Sequence, residues 1–214
     1  VEGVQGISWT ELSFEGQSNH AGTTPMSMRR DPGVVAVKVA AEANRLALEY
    51  GHPQVATVGS LRLQPDLVNV VPARAVMTLD LRNTDDDVLR RVEQTMFAYA
   101  DELAMAHDVK LTTRTLARFE PVVFDPRVVD IVESAAHTHG LSTKRMPSGA
   151  GHDAQMMARV CPTAMIFVPS VDGLSHNPAE HTHADDLEAG ANVLLSTMLE
   201  LTNLDHDGTP QTAD

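Results

Sequence analysis

Between Gly6 and Leu116 the hydrophobic period switches between 2 and 3.6 in an order that few folds can satisfy. Gly6 to Glu15 alternates like a strand, with Ile7, Trp9, Leu12 and Phe14 among the residues expected to be buried. Asp31-Pro32 reads as an N-cap followed by proline at the first helical position. That helix continues through Val35, Val39, Ala43, Leu46 and Tyr50 and stops at Gly51. Val55 to Leu63 is a second strand. Ala75 to Arg82 is a third, with Met77, Leu79 and Leu81 pointing one way and Thr78, Asp80 and Arg82 the other. Thr84 is expected to cap a second helix, whose acidic first turn Asp85-Asp86-Asp87 suits the helix dipole and which buries Val88, Val92, Met96 and Leu103. Val109 to Leu116 then completes a β-α-β-β-α-β order, the ferredoxin-like split βαβ arrangement.

The pattern changes near Phe119-Glu120-Pro121. Asp125-Pro126 opens a helix through Val129, Val132 and Ala136, closed by Gly140, and a short strand leads to Met146-Pro147-Ser148-Gly149-Ala150-Gly151-His152-Asp153. A helix is expected from Ala154 to Arg159 and a buried strand from Thr163 to Pro169. A last helix begins at the capping-box-like Thr182-His183-Ala184-Asp185, with Leu187, Ala191, Leu194, Met198 and Leu201 inward. Two convincing strands are too few to cover these helices, so this half reads as the end of a larger α/β domain. The residues from Asp205 onward are polar and expected to fray.

Charge excludes some partners. The 214 residues carry 29 acids against 16 bases, a net −13, which argues against nucleic acid or an anionic membrane. No apolar run reaches membrane-spanning length, and no signal peptide precedes the first strand. The single cysteine, Cys161, reads as a small buried hydrophobe and permits no internal disulfide, which fits the reducing cytoplasm. The chain lacks an initiator methionine and is expected to be a piece of something longer.

Several stretches carry candidate chemistry. His176, in the proline-stiffened loop Gly173 to Thr182, follows the apolar run directly, where open α/β sheets place ligands, and its imidazole suits zinc. Ser18-Asn19-His20-Ala21-Gly22-Thr23-Thr24-Pro25-Met26 is a tight loop able to hold His20 at a fixed angle, or an ordinary turn with an exposed histidine. Arg82 offers a planar fork for a carboxylate, to which the amide of Asn69 adds a donor; the alternative is that Arg82 pairs with Asp80. Main-chain N–H groups of Gly149, Ala150 and Gly151 could hold an anion. Ser148 is not in a nucleophile elbow, which disfavours a serine hydrolase. His181 and His183 read as exposed neighbours of the last helix's cap.

Five segments occur in order: Asn19 to Met26, Asn69-Val70-Val71-Pro72, Asp80-Leu81-Arg82, Pro147 to Ala154, and Ser175-His176-Asn177-Pro178-Ala179-Glu180. Together they resemble the carboxyl-terminal half of the zinc-dependent amidohydrolases that include N-carbamoyl-L-amino acid hydrolase, allantoate amidohydrolase and β-ureidopropionase. These belong with the aminoacylase and carboxypeptidase group of dinuclear-metal peptidases. The resemblance implies a linker or catalytic-domain segment at 1–5, a lid and dimerisation domain at 6–119, the end of an α/β catalytic domain at 120–206 and a flexible tail at 207–214. It makes His176 a metal ligand, and His20 the catalytic residue that polarises the scissile carbonyl in the partner subunit's site. Asn69 and Arg82 would hold the substrate carboxylate, with Gly149, Ala150 and Gly151 facing the substrate. It also implies two divalent ions (zinc, manganese or cobalt), a homodimer through the lid and a small-molecule carboxylate substrate. The family's other metal ligands and its general-base glutamate precede this region, so the polypeptide as given is expected to be inactive by itself. The rival expectations are a non-catalytic homodimerisation module and a dipeptidase or aminoacylase of the same group.

Overall fold

The computed structural model describes residues 1–203, so the tail expected at 207–214 lies outside the described residues. The chain is mixed α/β and divides into two compact units, Gln5–Pro121 and a second made of Val1–Val4 with the segment from Val122 on. Among the described residues no helix is long and apolar enough to cross a membrane.

β1 (Gly3–Val4) belongs to the second unit. The first is built from β2 (Gly6–Glu15), β3 (Asn19–His20), α1 (Pro32–Tyr50), β4 (Val55–Gln64), β5 (Val70–Val71), β6 (Arg74–Asn83), α2 (Asp86–Ala106) and β7 (Lys110–Phe119). Its four long strands form an antiparallel sheet in the order β4-β6-β2-β7. Register places Leu12 opposite Met77 and Phe14 opposite Ala75. Leu12, Phe14, Met77, Leu79 and Leu81 pack with Val35, Val39, Leu89, Val92 and Met96 of the two helices into one core. Each large side chain buried there contributes about 1.5–3 kcal/mol. Trp9 is 39% exposed rather than buried. The two-residue period puts it on the face opposite Leu12 and Phe14.

Helix starts follow the side chain that can reach a free N–H. Asp31 accepts from Gly33 and Val34, as its place before Pro32 predicts. For α2 the cap is Asp85, not Thr84: the Asp85 carboxylate accepts from Val88 N at 2.9 Å, while Asn83 Oδ1 takes Asp85 N. This start buries Leu89, Val92, Met96, Ala100 and Ala104, leaving Val88 and Leu103 only partly buried at the edge of the core.

The second unit contains β8 (Val122–Val123), α3 (Pro126–Thr138), β9 (Pro147–Ser148), α4 (Ala154–Met157) and α5 (Ala184–Thr202). Its sheet is three two-residue strands, β8-β1-β9. Two small apolar clusters support it, one around Val4, Phe124, Val129, Ala154 and Met165, the other around Ala135, Ala136 and Val193.

Five expectations fail here. Thr163 to Pro169 is not a strand, because a ladder needs a neighbour. Among the described residues the main-chain donors to this run are Asp125 N, to Thr163 O, and the Val1 amine, to Met165 O. The helix expected to reach Arg159 ends at Met157. Cys161 is exposed, because it lies in the turn beyond that short helix. For α5, the N-cap is His183 without a side-chain bond, and the capping box at Thr182 does not form. Leu187, Leu194 and Met198 are more than half exposed, with Val193 and Thr197 buried instead. Leu187, Leu194 and Met198 line an open groove with Val128 and Val132 of α3 and with Met157, Pro162 and Ile166.

Candidate functional site

The His20 loop is held by hydrogen bonds to its own backbone. β3 pairs antiparallel with β5, His20 opposite Val70, and Ala21 N donates to Asn69 O at 2.9 Å. This puts His20 on a short ladder, with Asn69 just beyond its end. His20 Nδ1 accepts from Gly22 N (3.0 Å) and Thr23 N (3.2 Å). Two N–H groups aimed at Nδ1 require its lone pair there, so a neutral ring carries its proton on Nε2. The imidazole therefore presents a donor outward. A Cβ at Gly22 would sit 3.3 Å from His20 Cε1, a close approach that favours glycine.

Two further residues brace this loop, and sequence reasoning missed both. Thr24 donates to His20 O through its N (3.2 Å) and its Oγ1 (2.6 Å). Arg29 Nε donates to Thr24 O (3.0 Å) and its Nη2 to Ala21 O (2.6 Å), spanning the loop. Arg29 stands beside Arg30 in the sequence with nothing to distinguish the two, and main-chain carbonyls leave no sequence signal for a guanidinium.

Arg82 projects from β6 on the sheet face opposite the helices. Its Nε lies 3.0 and 3.2 Å from the two carboxylate oxygens of Asp80, and its Nη2 lies 2.7 Å from Oδ2. Trp9, across the ladder from Asp80, brings its ring centroid within 5.8 Å of the guanidinium carbon. The alternative weighed from sequence, a pairing with Asp80, is thus formed. It also orients the cation. Asn69 is exposed, just before β5.

In the second unit Gly149, Ala150 and Gly151 form an exposed turn after β9. Ser148 is buried, and its Oγ donates to Ala150 O (2.8 Å) and accepts from Ala150 N (3.2 Å), so one expected anion-binding N–H already has a partner. His152 follows. Its Nδ1 accepts from Ala154 N at 3.0 Å, and its own N donates to Oε1 of the buried Gln155 at 3.2 Å.

His176 lies in a separate loop of the same unit. The base of that loop is closed by Val171 N donating to His181 O (2.8 Å) and Ser170 Oγ to Leu174 O (2.6 Å). His176 has φ +55°, an uncommon left-handed conformation for a non-glycine residue. Its N is held by Glu180 Oε2 at 2.9 Å, while the imidazole is exposed. The rings of His181 and His183 meet edge to face at 5.4 Å. Among the described residues no group of three or more His, Cys, Asp or Glu side chains could hold a metal ion. These residues alone do not make a dinuclear site, and His176 offers a single nitrogen donor to one.

A family model described as Peptidase family M20/M25/M40 matches residues 13–200. The N-carbamoyl-L-amino acid amidohydrolase of Geobacillus stearothermophilus is 38% identical over 201 residues, covering 94% of this chain and 49% of that protein. The allantoate amidohydrolase of Escherichia coli (strain K12) is 38% identical over 205 residues, with 94% and 49% covered. A crystal structure of an amidase of the hydantoinase/carbamoylase family from Burkholderia vietnamiensis superposes with a TM-score of 0.88 at 39% identity, covering 92% of this chain and 48% of that one. The chain therefore spans about half the length of the curated relatives it matches.

Proposed function

Because this chain belongs to peptidase family M20/M25/M40, we propose that it is the carboxyl-terminal part of an enzyme hydrolysing a linear amide or ureido C–N bond in a carboxylate-bearing small molecule. The substrate is of the N-carbamoyl amino acid or allantoate type. The observation that carries this reading is the match, over 94% of the chain, to amidohydrolases named for those two substrates. In this reading Gln5–Pro121 is the ferredoxin-like lid through which the enzyme dimerises, and the second unit ends the catalytic domain. The protein acts in the cytoplasm.

The chain's own residues have defined parts. His20 donates a hydrogen bond from Nε2–H to the carbonyl oxygen as that oxygen gains negative charge, keeps its proton, and does not act as a base. Arg82, oriented by Asp80 and Trp9, binds the substrate carboxylate together with the Asn69 amide. The turn from Gly149 to Gly151 faces the substrate. The family is generally metal-dependent. His176 would supply one ligand to a centre of two divalent ions (zinc, manganese or cobalt), and the described residues hold no group of three or more ligands that could complete it. When bound, such ions polarise a carbonyl and activate water.

The test is substrate-resolved hydrolysis by the full-length protein supplied with these metals. Release of the carbamoyl nitrogen from an N-carbamoyl amino acid, or of ammonia from allantoate, is expected, with His176→Ala losing both bound metal and turnover. Preferential cleavage of dipeptides or N-acyl amino acids would move the protein to the aminoacylase side of the group. No tight metal and no hydrolysis would leave a dimerisation module.

A further inference from the structure

Among the described residues two histidines, His20 and His152, have Nδ1 occupied by a main-chain N–H from two residues downstream. Among the described residues the other hydrogen bonds recorded for histidine rings run through Nε2, to Lys38, Thr143 and Ser196. A donor at Nδ1 sets the tautomer and turns a protonated Nε2 outward, and the side chain of His152 is exposed. The unit that holds His152 thus repeats, in a loop of its own, the hydrogen-bonding device that orients His20 in the other.

A purely local account exists. Ala154 N donates to the His152 ring while His152 N donates to the Gln155 side chain, a reciprocal pair that caps the start of α4 one residue ahead of its N-cap position, Asp153. Asn, Asp, Ser and Thr fill that role better, and histidine is not among the preferred caps. Capping uses only Nδ1 and leaves the choice of an imidazole unexplained. Next to His152 is the turn from Gly149 to Gly151, and Ser148 braces that turn through both polar groups of Ala150.

We propose that His152 is a further substrate-binding residue, whose Nε2–H donates to an oxygen of the ureido-acid substrate. This rests on the assignment of the turn from Gly149 to Gly151 to the substrate side of the site. The required ligand is an oxygen acceptor, either a carboxylate or a ureido carbonyl. A neutral donor with Nδ1 engaged binds such an oxygen without having to lose a proton.

His152→Asn separates the two accounts, because asparagine retains the cap and removes the outward N–H. In the full-length, metal-loaded protein, His152→Asn is expected to keep the parental Tm and lower kcat/KM for N-carbamoyl-L-alanine by about tenfold or more, the scale of one lost hydrogen bond. Assaying the carboxamide of that substrate assigns the oxygen. A loss confined to the acid identifies the carboxylate, and an equal loss on both identifies the ureido carbonyl. Parental kinetics on both compounds would overturn the proposal and leave His152 as a cap.

A direct readout avoids turnover. In metal-stripped, histidine-15N-labelled protein, Nε2 of His152 should be the protonated nitrogen, and its signal should move when N-carbamoyl-L-alanine is added. A stationary signal overturns the proposal even if the variant is slow or less stable. Should the parent hydrolyse no ureido acid at all, the proposed function fails first and this inference falls with it. An active parent with an indifferent His152 refutes the inference alone.

Discussion

The guanidinium of Arg82 is fixed by two neighbours of different chemistry, the Asp80 carboxylate along its Nε edge and the Trp9 ring at its side. That arrangement reduces the conformational freedom a long cation would lose on meeting a carboxylate. Lysine keeps the charge but not the planar fork, so Arg82→Lys should weaken carboxylate-bearing substrates by roughly 1.5–3 kcal/mol, about ten- to a hundredfold. Measuring KM for a substrate and for its neutral amide checks this. Equal losses on both would remove Arg82 from carboxylate recognition. The polar residues of the candidate site can be picked out in the sequence because histidine, arginine and glycine stand out in short, ordered motifs. Their tuning was less so. The tautomer of His20 depends on two main-chain N–H groups, and the brace by Arg29 depends on carbonyls that any residue would supply.

At the scale of the element, α2 shows how a one-residue offset arises. Thr84, Asp85 and Asp86 are all plausible caps by composition, and reach to Val88 N decides for Asp85. Asp85→Ala should cost about 1 kcal/mol in urea unfolding, while Thr84→Ala should cost little. A larger loss at Thr84 would contradict the observed cap. Helix α3 adds a pH-dependent term. The Arg127 side chain hydrogen-bonded to Asp125, helped by the Arg127 N–H, holds that carboxyl below the ordinary aspartate range. A depressed folded-state pKa gives stability that is present above the unfolded aspartate value and lost as pH falls through the folded one. The parent should therefore lose stability relative to Asp125→Asn on acidification through that window, and parallel pH profiles would deny the linkage. The long amphipathic helices and ten-residue strands of the first unit were readable because their periods repeat many times. Thr163 to Pro169 and α5 were not, since an apolar run specifies burial but names no partner. Among the described residues that run has no ladder, and Leu187, Leu194, Met198 and Leu201 of α5 line an open groove.

For the whole molecule, the proposed dimer makes a count that chemistry on one chain cannot. His20 belongs to the first unit and His176 to the second, and the proposal sets His20 of each chain in the partner's site. A His20→Ala chain and a His176→Ala chain should each be inactive as homodimers. Mixed in equal amounts and allowed to exchange, they give about half heterodimers by random pairing, and two-fold symmetry leaves each heterodimer with one intact site and one doubly broken site. The mixture should then recover about a quarter of parental activity. Were His20 to serve its own chain, every site in every species would lack one residue and nothing would return. Mass-tagged chains verify that exchange has occurred, since unmixed homodimers would also be silent. Metal content gives a second check, because the His20→Ala chains should keep their metal and the His176→Ala chains should not. Recovery near a quarter would make the dimer part of the catalytic apparatus, whereas silence after proven exchange would return His20 to its own chain.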